Sequence, residues 1–299
     1  MEGEGSLIMD KSKTYKVGDV KVTRISESIL DSFTTASIIP DWNSLTCRQK
    51  MALSSSMEAK SLLSTHTWLV KTPKHTILVD TGAGNDKDRP FTPYFDHLNL
   101  SYLEKLSNAR IKPEDVDYVL MTHLHVDHVG WNTRLSNGEW VPTFPNAKYV
   151  FSKEEYEYYK DPANHNDRNK TSVIIQKDSI LPLIESELAE MIPIDGNEFI
   201  DGISFKPTPG HSINHSSITL SSRGKNALFS GDIFHTPIQI RYPEVNSIFD
   251  AFADQARSSR LWGVEYAADH HAIVFSSHFP ESSAGLVVRR GEGFDWQYI

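Results

Sequence analysis

Thr122-His123-Leu124-His125-Val126-Asp127-His128-Val129-Gly130 is the stretch from which this 299-residue chain is best read. It follows the apolar run Val116–Met121, a buried-strand pattern. A His-x-His-x-Asp-His match by chance in a chain of this composition has odds of roughly two in a thousand. The residue types explain the pattern chemically. Neutral imidazole and carboxylate are ligands for zinc, manganese or iron. A tight loop leaving a strand can turn His123 and His125 to one side, with Asp127 and His128 facing a second point. Two metals about 3.5–4 Å apart need more ligands than one loop supplies, so the rest should come from other strand ends.

Three downstream segments repeat one grammar: β-rich residues, small residues, then a ligand type. They are Thr208-Pro209-Gly210-His211, Phe229-Ser230-Gly231-Asp232 and Ser276-Ser277-His278. Around them short strands alternate with helices. Tyr15–Ile25 reads as a hairpin about Gly18-Asp19. Thr67–Lys71, Thr76–Asp80, Ala147–Phe151, Ile203–Lys206, Ser216–Ser221, Asn226–Phe229, Ala272–Ser276, Ala284–Arg289 and Gly293–Ile299 read as strands. Leu98–Ser107 has helical spacing. Lys153–Lys160 reads as a helix with Ser152 as N-cap and Glu155 completing a capping box. Thr171–Glu190 reads as a helix interrupted at Pro182, and Asp250–Ala267 as one capped by Asp250. This alternation predicts a layered α/β domain spanning 1–299. Segment 31–64 is the least regular and is expected to be a cap over a pocket or an oligomer contact.

The composition limits the function. There are 30 basic and 39 acidic side chains, a formal charge of −9, which opposes a nucleic-acid partner. The single cysteine, Cys47, cannot form an internal disulfide. No apolar run approaches a membrane span, and the N-terminus has no basic, apolar leader, so a cytoplasmic location is expected. The 13 histidines are the unusual number. His66, His75, His97, His165, His270 and His271 lie outside every motif and are read as ordinary satisfied side chains.

The set His123, His125, Asp127, His128, His211, Asp232 and His278 resembles the metallo-β-lactamase superfamily. The resemblance runs from Tyr15 to the end of the chain. It implies a four-layer αββα sandwich of two mixed sheets with outer helices. It also implies that His123, His125 and His211 hold one divalent metal, Asp127, His128 and His278 a second, and that Asp232 bridges them. Zinc is the first expectation, with manganese or iron as alternatives. Asp80, in Asp80-Thr81-Gly82, matches the family's early Asp-x-Gly element and is expected to orient the ligand loop.

Several branches of the family fit poorly. Asp232 argues against the classical β-lactamases, and His125 against the flavodiiron branch. The segments Gly231–Asp250 and His278–Trp296 resemble the lactonase and organophosphate-hydrolase branch. Acyl-homoserine lactonases carry a tyrosine three residues after the bridging aspartate; here that residue is His235, which donates a hydrogen bond or shapes the pocket. The resemblance therefore implies opening of a lactone or cleavage of a carboxylic ester by a metal-bridging hydroxide. Asp127 would move the proton and His235 would assist the oxyanion. A phosphotriesterase on the same site and an iron-dependent thiol or persulfide oxidoreductase are the alternatives. The expected partner is a small molecule, with neither nucleic acid nor membrane, and a homodimer is expected because family members often dimerise. Trp131 and Phe234 are expected in the substrate pocket, with Trp42, Phe91, Tyr94, Phe95, Trp140 and Phe144 as further aromatic candidates.

Overall fold

The computed structural model describes residues 13–40 and 60–299. Trp42 and Cys47 fall outside them, as does most of 31–64. The described ends of that segment are the end of one strand, a helical turn at Thr35–Ile38 and the start of the next strand.

Strands β1 (Thr14–Val17), β2 (Val20–Thr34), β3 (Lys60–Lys71), β4 (Thr76–Val79) and β5 (Tyr118–Leu120) open the first sheet. A separate hairpin, β6 (Thr133–Ser136) and β7 (Glu139–Pro142), precedes β8 (Lys148–Ser152) and β9 (Ala189–Ile192). The second sheet uses β10 (Glu198–Ile200), β11 (Ile203–Pro207), β12 (Ser216–Ser222), β13 (Lys225–Phe229), β14 (Ile273–Phe275), β15 (Ala284–Arg290) and β16 (Gly293–Tyr298). The orders are β1-β2-β3-β4-β5-β8-β9 and β10-β11-β12-β13-β14-β15-β16. The β4–β5, β5–β8, β8–β9 and β13–β14 pairings are parallel, so both sheets are mixed.

Period-two alternation makes the layers. In β4, Ile77 and Val79 enter the core between the sheets while Leu78 points to the outer layer. In β13, Ala227 and Phe229 point inward and Leu228 outward. Helices α1 (Tyr102–Asn108) and α2 (Lys153–Lys160) cover the first sheet. Helix α3 (Ala253–Asp269) covers the second, burying Ala256, Arg260, Gly263, Val264 and Ala267 at helical spacing. The result is the expected four-layer sandwich.

Three local expectations need correction. The Ser152 hydroxyl does accept the Glu155 N–H, but Glu155 does not complete a capping box; its carboxylate turns inward. The 171–190 helix stops at Glu185, and Ala189–Ile192 is a strand paired with β8. A π-helical stretch, Gln176–Ile180, precedes Pro182. Pro182 has no N–H to offer the Asp178 carbonyl, which instead accepts the Thr133 hydroxyl and the Lys87 ammonium. Finally, Phe252, not Asp250, occupies the N-cap of α3.

Candidate metal centre

The loops that follow β4, β5, β11, β13 and β14 meet at one edge between the sheets. They carry Asp80, the 123–128 segment, His211, Asp232 and His278 respectively. Asp80 leaves β4 with φ +54. Its carboxylate accepts the Thr122 N–H and hydroxyl, both at 2.8 Å, and Nδ1–H of His128 at 2.9 Å. The segment after it lies along the motif loop: Thr81 N donates to His128 O at 2.7 Å, and Gly130 N to Gly82 O at 2.7 Å. A Cβ on Gly130 would sit 1.9 Å from the Ala83 carbonyl, so this approach requires glycine.

The side chains converge in two groups. His123 Nε2 and His125 Nδ1 lie 3.1 and 2.8 Å from His211 Nε2. Asp127 lies 3.8 Å from both His128 Nε2 and His278 Nε2. Asp232 stands between them. It is 3.2 Å from His211 and 3.9 Å from His123 on one side, and 3.3 Å from His128 and 3.0 Å from His278 on the other. His123, His125 and His211 form one cluster with ligand spacing, and Asp127, His128 and His278 form another.

The donor chemistry fits divalent metal. His128 Nε2 and Asp232 Oδ1 are buried without a hydrogen-bond partner, which is costly in a protein interior. Burial pushes His123 and His211 well below the usual histidine range and His125 down to about 4, favouring the neutral form that binds metal. Burial also opposes charge on His128, but the carboxylates of Asp232, Asp80 and Asp127 outweigh it and raise its pKa. Asp232 is likewise desolvated, yet His128, His278 and His211 hold its carboxyl well below the usual range.

Two supports were missed at the level of sequence. His215 accepts the Asp232 N–H at 2.9 Å and donates from Nδ1 to Thr208. Glu155 accepts from Leu124 N at 3.2 Å, Ser212 Oγ at 2.8 Å and Asn214 N at 2.9 Å, tying the motif loop to the His211 loop. His215 follows His211 by four residues, the one local signal available for it.

A cavity of about 470 Å³ opens over the cluster. His125, Asp127, His211, Asp232, His235 and His278 reach it from the site. Leu30, Phe33, Leu63, Phe91, Tyr94, Phe95, Tyr158, Tyr159, Ile175, Ile248, Phe249 and Phe252 make most of its walls, with Thr92, Asn166, Arg168, Asn169 and Thr171 as a polar part. Trp131 and Phe234 do not line it. Trp131 stacks on Tyr102 with ring centroids 4.9 Å apart and donates to Glu27 at 2.7 Å; Phe234 is buried under α3. Phe144 is core, and Trp140 lies under the Lys87 ammonium. His66 lies outside the two ligand clusters, bonded to Ser64 and Ser276.

Residues 61–278 match the metallo-beta-lactamase superfamily. An N-acyl homoserine lactonase of Bacillus cereus is 25% identical over 254 residues, covering 80% of this chain and 91% of that protein. The N-acyl homoserine lactonase AttM of Rhizobium radiobacter is 29% identical over 187 residues, covering 62% and 66%. Among solved structures, the hydrolase AbOPH superposes with a TM-score of 0.80 at 25% identity, covering 96% of this chain and 97% of that one. AidC, a dizinc quorum-quenching lactonase, shares the fold with a TM-score of 0.77 at 22% identity and coverage of 96% and 97%. The fold, the strand-end cluster and a match over most of the chain place this protein among the metal-dependent hydrolases of the metallo-β-lactamase superfamily.

Proposed function

We propose that the protein opens a lactone or cleaves a carboxylic ester with two divalent ions, zinc first. His123, His125 and His211 would hold one, Asp127, His128 and His278 the other, and Asp232 would lie between them. The observation that carries this reading is the convergence of the two ligand groups on Asp232 beneath an apolar cavity. When bound, the metals supply Lewis acidity and water of lowered pKa.

The chain's own residues supply the rest. Asp127 is more open than Asp232, at 18% against 4% side-chain exposure, and faces the cavity. Its carboxylate can take the proton of the attacking water and return it to the leaving alkoxide. Both ring nitrogens of His235 are buried without a hydrogen-bond partner, and the ring faces the cavity. An N–H there suits the carbonyl oxygen as charge builds on it. Asp80 and His215 fix His128 and Asp232. The aromatic and aliphatic walls take a neutral apolar acyl group and keep bulk water from the reacting carbonyl.

Metal quantification combined with a panel of lactones, aryl esters and organophosphate triesters tests this. The expected result is about two metals per chain and hydrolysis of lactones or esters, lost on chelation. His128→Ala should lower metal content and activity together. His235→Phe should keep the metal and lower kcat by roughly 100–1,000-fold, read from steady-state kinetics. Full activity in metal-free protein overturns the assignment, triester hydrolysis alone moves it to phosphorus, and a single iron moves it to redox chemistry.

A further inference from the structure

Four of the five histidines proposed above as ligands have their outward nitrogen fixed by a partner. His123 Nδ1 meets Thr122 Oγ1 at 3.0 Å and His125 Nε2 meets Tyr159 Oη at 3.1 Å. His128 Nδ1 meets Asp80 at 2.9 Å and His278 Nδ1 the Ser64 carbonyl at 3.0 Å. The fifth, His211, turns Nδ1 toward Asp250 Oδ1 at 3.9 Å, and both atoms are buried without a hydrogen-bond partner. That separation is about an ångström longer than a hydrogen bond, so the contact requires a shift of the His211 ring toward Asp250.

The surroundings of Asp250 aim this carboxylate. Its Oδ2 accepts from Ser247 N at 2.9 Å and Arg260 Nη1 at 2.8 Å. Arg260 is fully buried and also reaches the Pro243 carbonyl and Asn246 Oδ1. A buried ion pair of this kind adds little net stability over an apolar pair. Holding a carboxylate at a set point accounts for it better. The backbone supports the same placement. Ala251 N donates to His211 O at 3.2 Å, Phe252 N to Gly210 O at 2.7 Å and Ser259 Oγ to Pro209 O at 2.7 Å. A Cβ on Gly210 would meet Ala256 N at 2.1 Å, so the start of α3 rests on this loop. His235, the third member of this group, has Nε2 3.4 Å from Asp232.

We propose that Asp250, held by Arg260, is a positioning residue for His211. It accepts Nδ1–H, keeps Nε2 unprotonated toward the centre, and links that ligand to the cavity wall built from Ile248, Phe249 and Phe252. The proposal rests on the reading of His211 as a metal ligand.

The test compares wild type, Asp250→Asn and Asp254→Asn, an exposed control in the first turn of α3. The readout is zinc affinity by chelator competition. Asp250→Asn should bind zinc 10–100-fold more weakly, with the control unchanged. The second measurement needs no variant. Long-range ¹H–¹⁵N spectra of metal-free wild type should show His211 protonated at Nδ1, and this decides the matter if Asp250→Asn does not fold. A merely structural Asp250 leaves that tautomer unset. Equal zinc affinity in Asp250→Asn, or His211 protonated at Nε2, overturns the role of Asp250 alone. Failure of wild type to bind zinc overturns the functional reading itself and this role with it.

Discussion

Metal chemistry restricts residue type and spacing together, so the residues proposed as ligands share a narrow pattern. His-x-His-x-Asp-His has few other uses, and His211, Asp232 and His278 share a strand-end grammar. The residues that aim them were not legible. His215, Glu155 and Asp250 act through backbone N–H groups or ring nitrogens of chain-distant residues, and no local spacing encodes that. Gly231 shows how tightly the support is built. It has φ +55, and a Cβ there would lie 2.4 Å from His215 Nε2. Gly231→Ala therefore combines left-handed strain of about 1–2 kcal/mol with the loss of a buried hydrogen bond, about 1–3 kcal/mol. The expected loss is at least about 2 kcal/mol in denaturant unfolding of metal-free protein. A loss below about 0.5 kcal/mol would show that Asp232 needs no such support.

Elements such as β4 and β13 were read correctly because each is a short apolar, β-rich run ended by a turn, the pattern of a strand buried on both faces. The 171–190 segment misled because Ala189–Ile192 forms its strand only through pairing with β8, a tertiary effect that helical spacing cannot reveal. Helix α2 was placed correctly but its inward carboxylate was not foreseen. Burial raises the Glu155 pKa to about 6, against the hydrogen bonds from Ser212, Asn214 and Leu124 that favour the ionised form. A carboxyl whose pKa is raised on folding contributes stability below its unfolded value. That contribution is lost as pH rises through the folded value, here between about 4.5 and 6. Glu155→Gln keeps one neutral form throughout. The variant should therefore gain on wild type by about 2 kcal/mol across that window, read as the difference between two pH-stability curves without metal. Parallel curves would mean that Glu155 titrates alike folded and unfolded.

At the scale of the molecule, the site is a joint between two sheets. Asp80 and the proposed ligands of 123–128 leave the first sheet; His211, Asp232 and His278 leave the second. The family resemblance anticipated this arrangement. Three of the aromatic candidates, Phe91, Tyr94 and Phe95, do line the cavity; the other walls, from the end of β2 and from loops distant in sequence, were not anticipated. Two consequences follow for metal removal. The cluster gathers five imidazoles and two carboxylates in a largely buried site, so the metal-free state carries an electrostatic burden. The unfolded chain also has no gathered site, so binding favours the folded state. Zinc at about 100 times its Kd adds about 2.7 kcal/mol per site, or about 5 kcal/mol for two. At about 2 °C per kcal/mol for a chain of this size, Tm should rise by on the order of 10 °C on loading. Because the ligands come from both sheets, unfolding should remain a single calorimetric transition and shift as a whole. A chelator should reverse the shift. Loading that leaves Tm unchanged, or that moves only part of a split transition, would show that metal does not join the two halves of the sandwich.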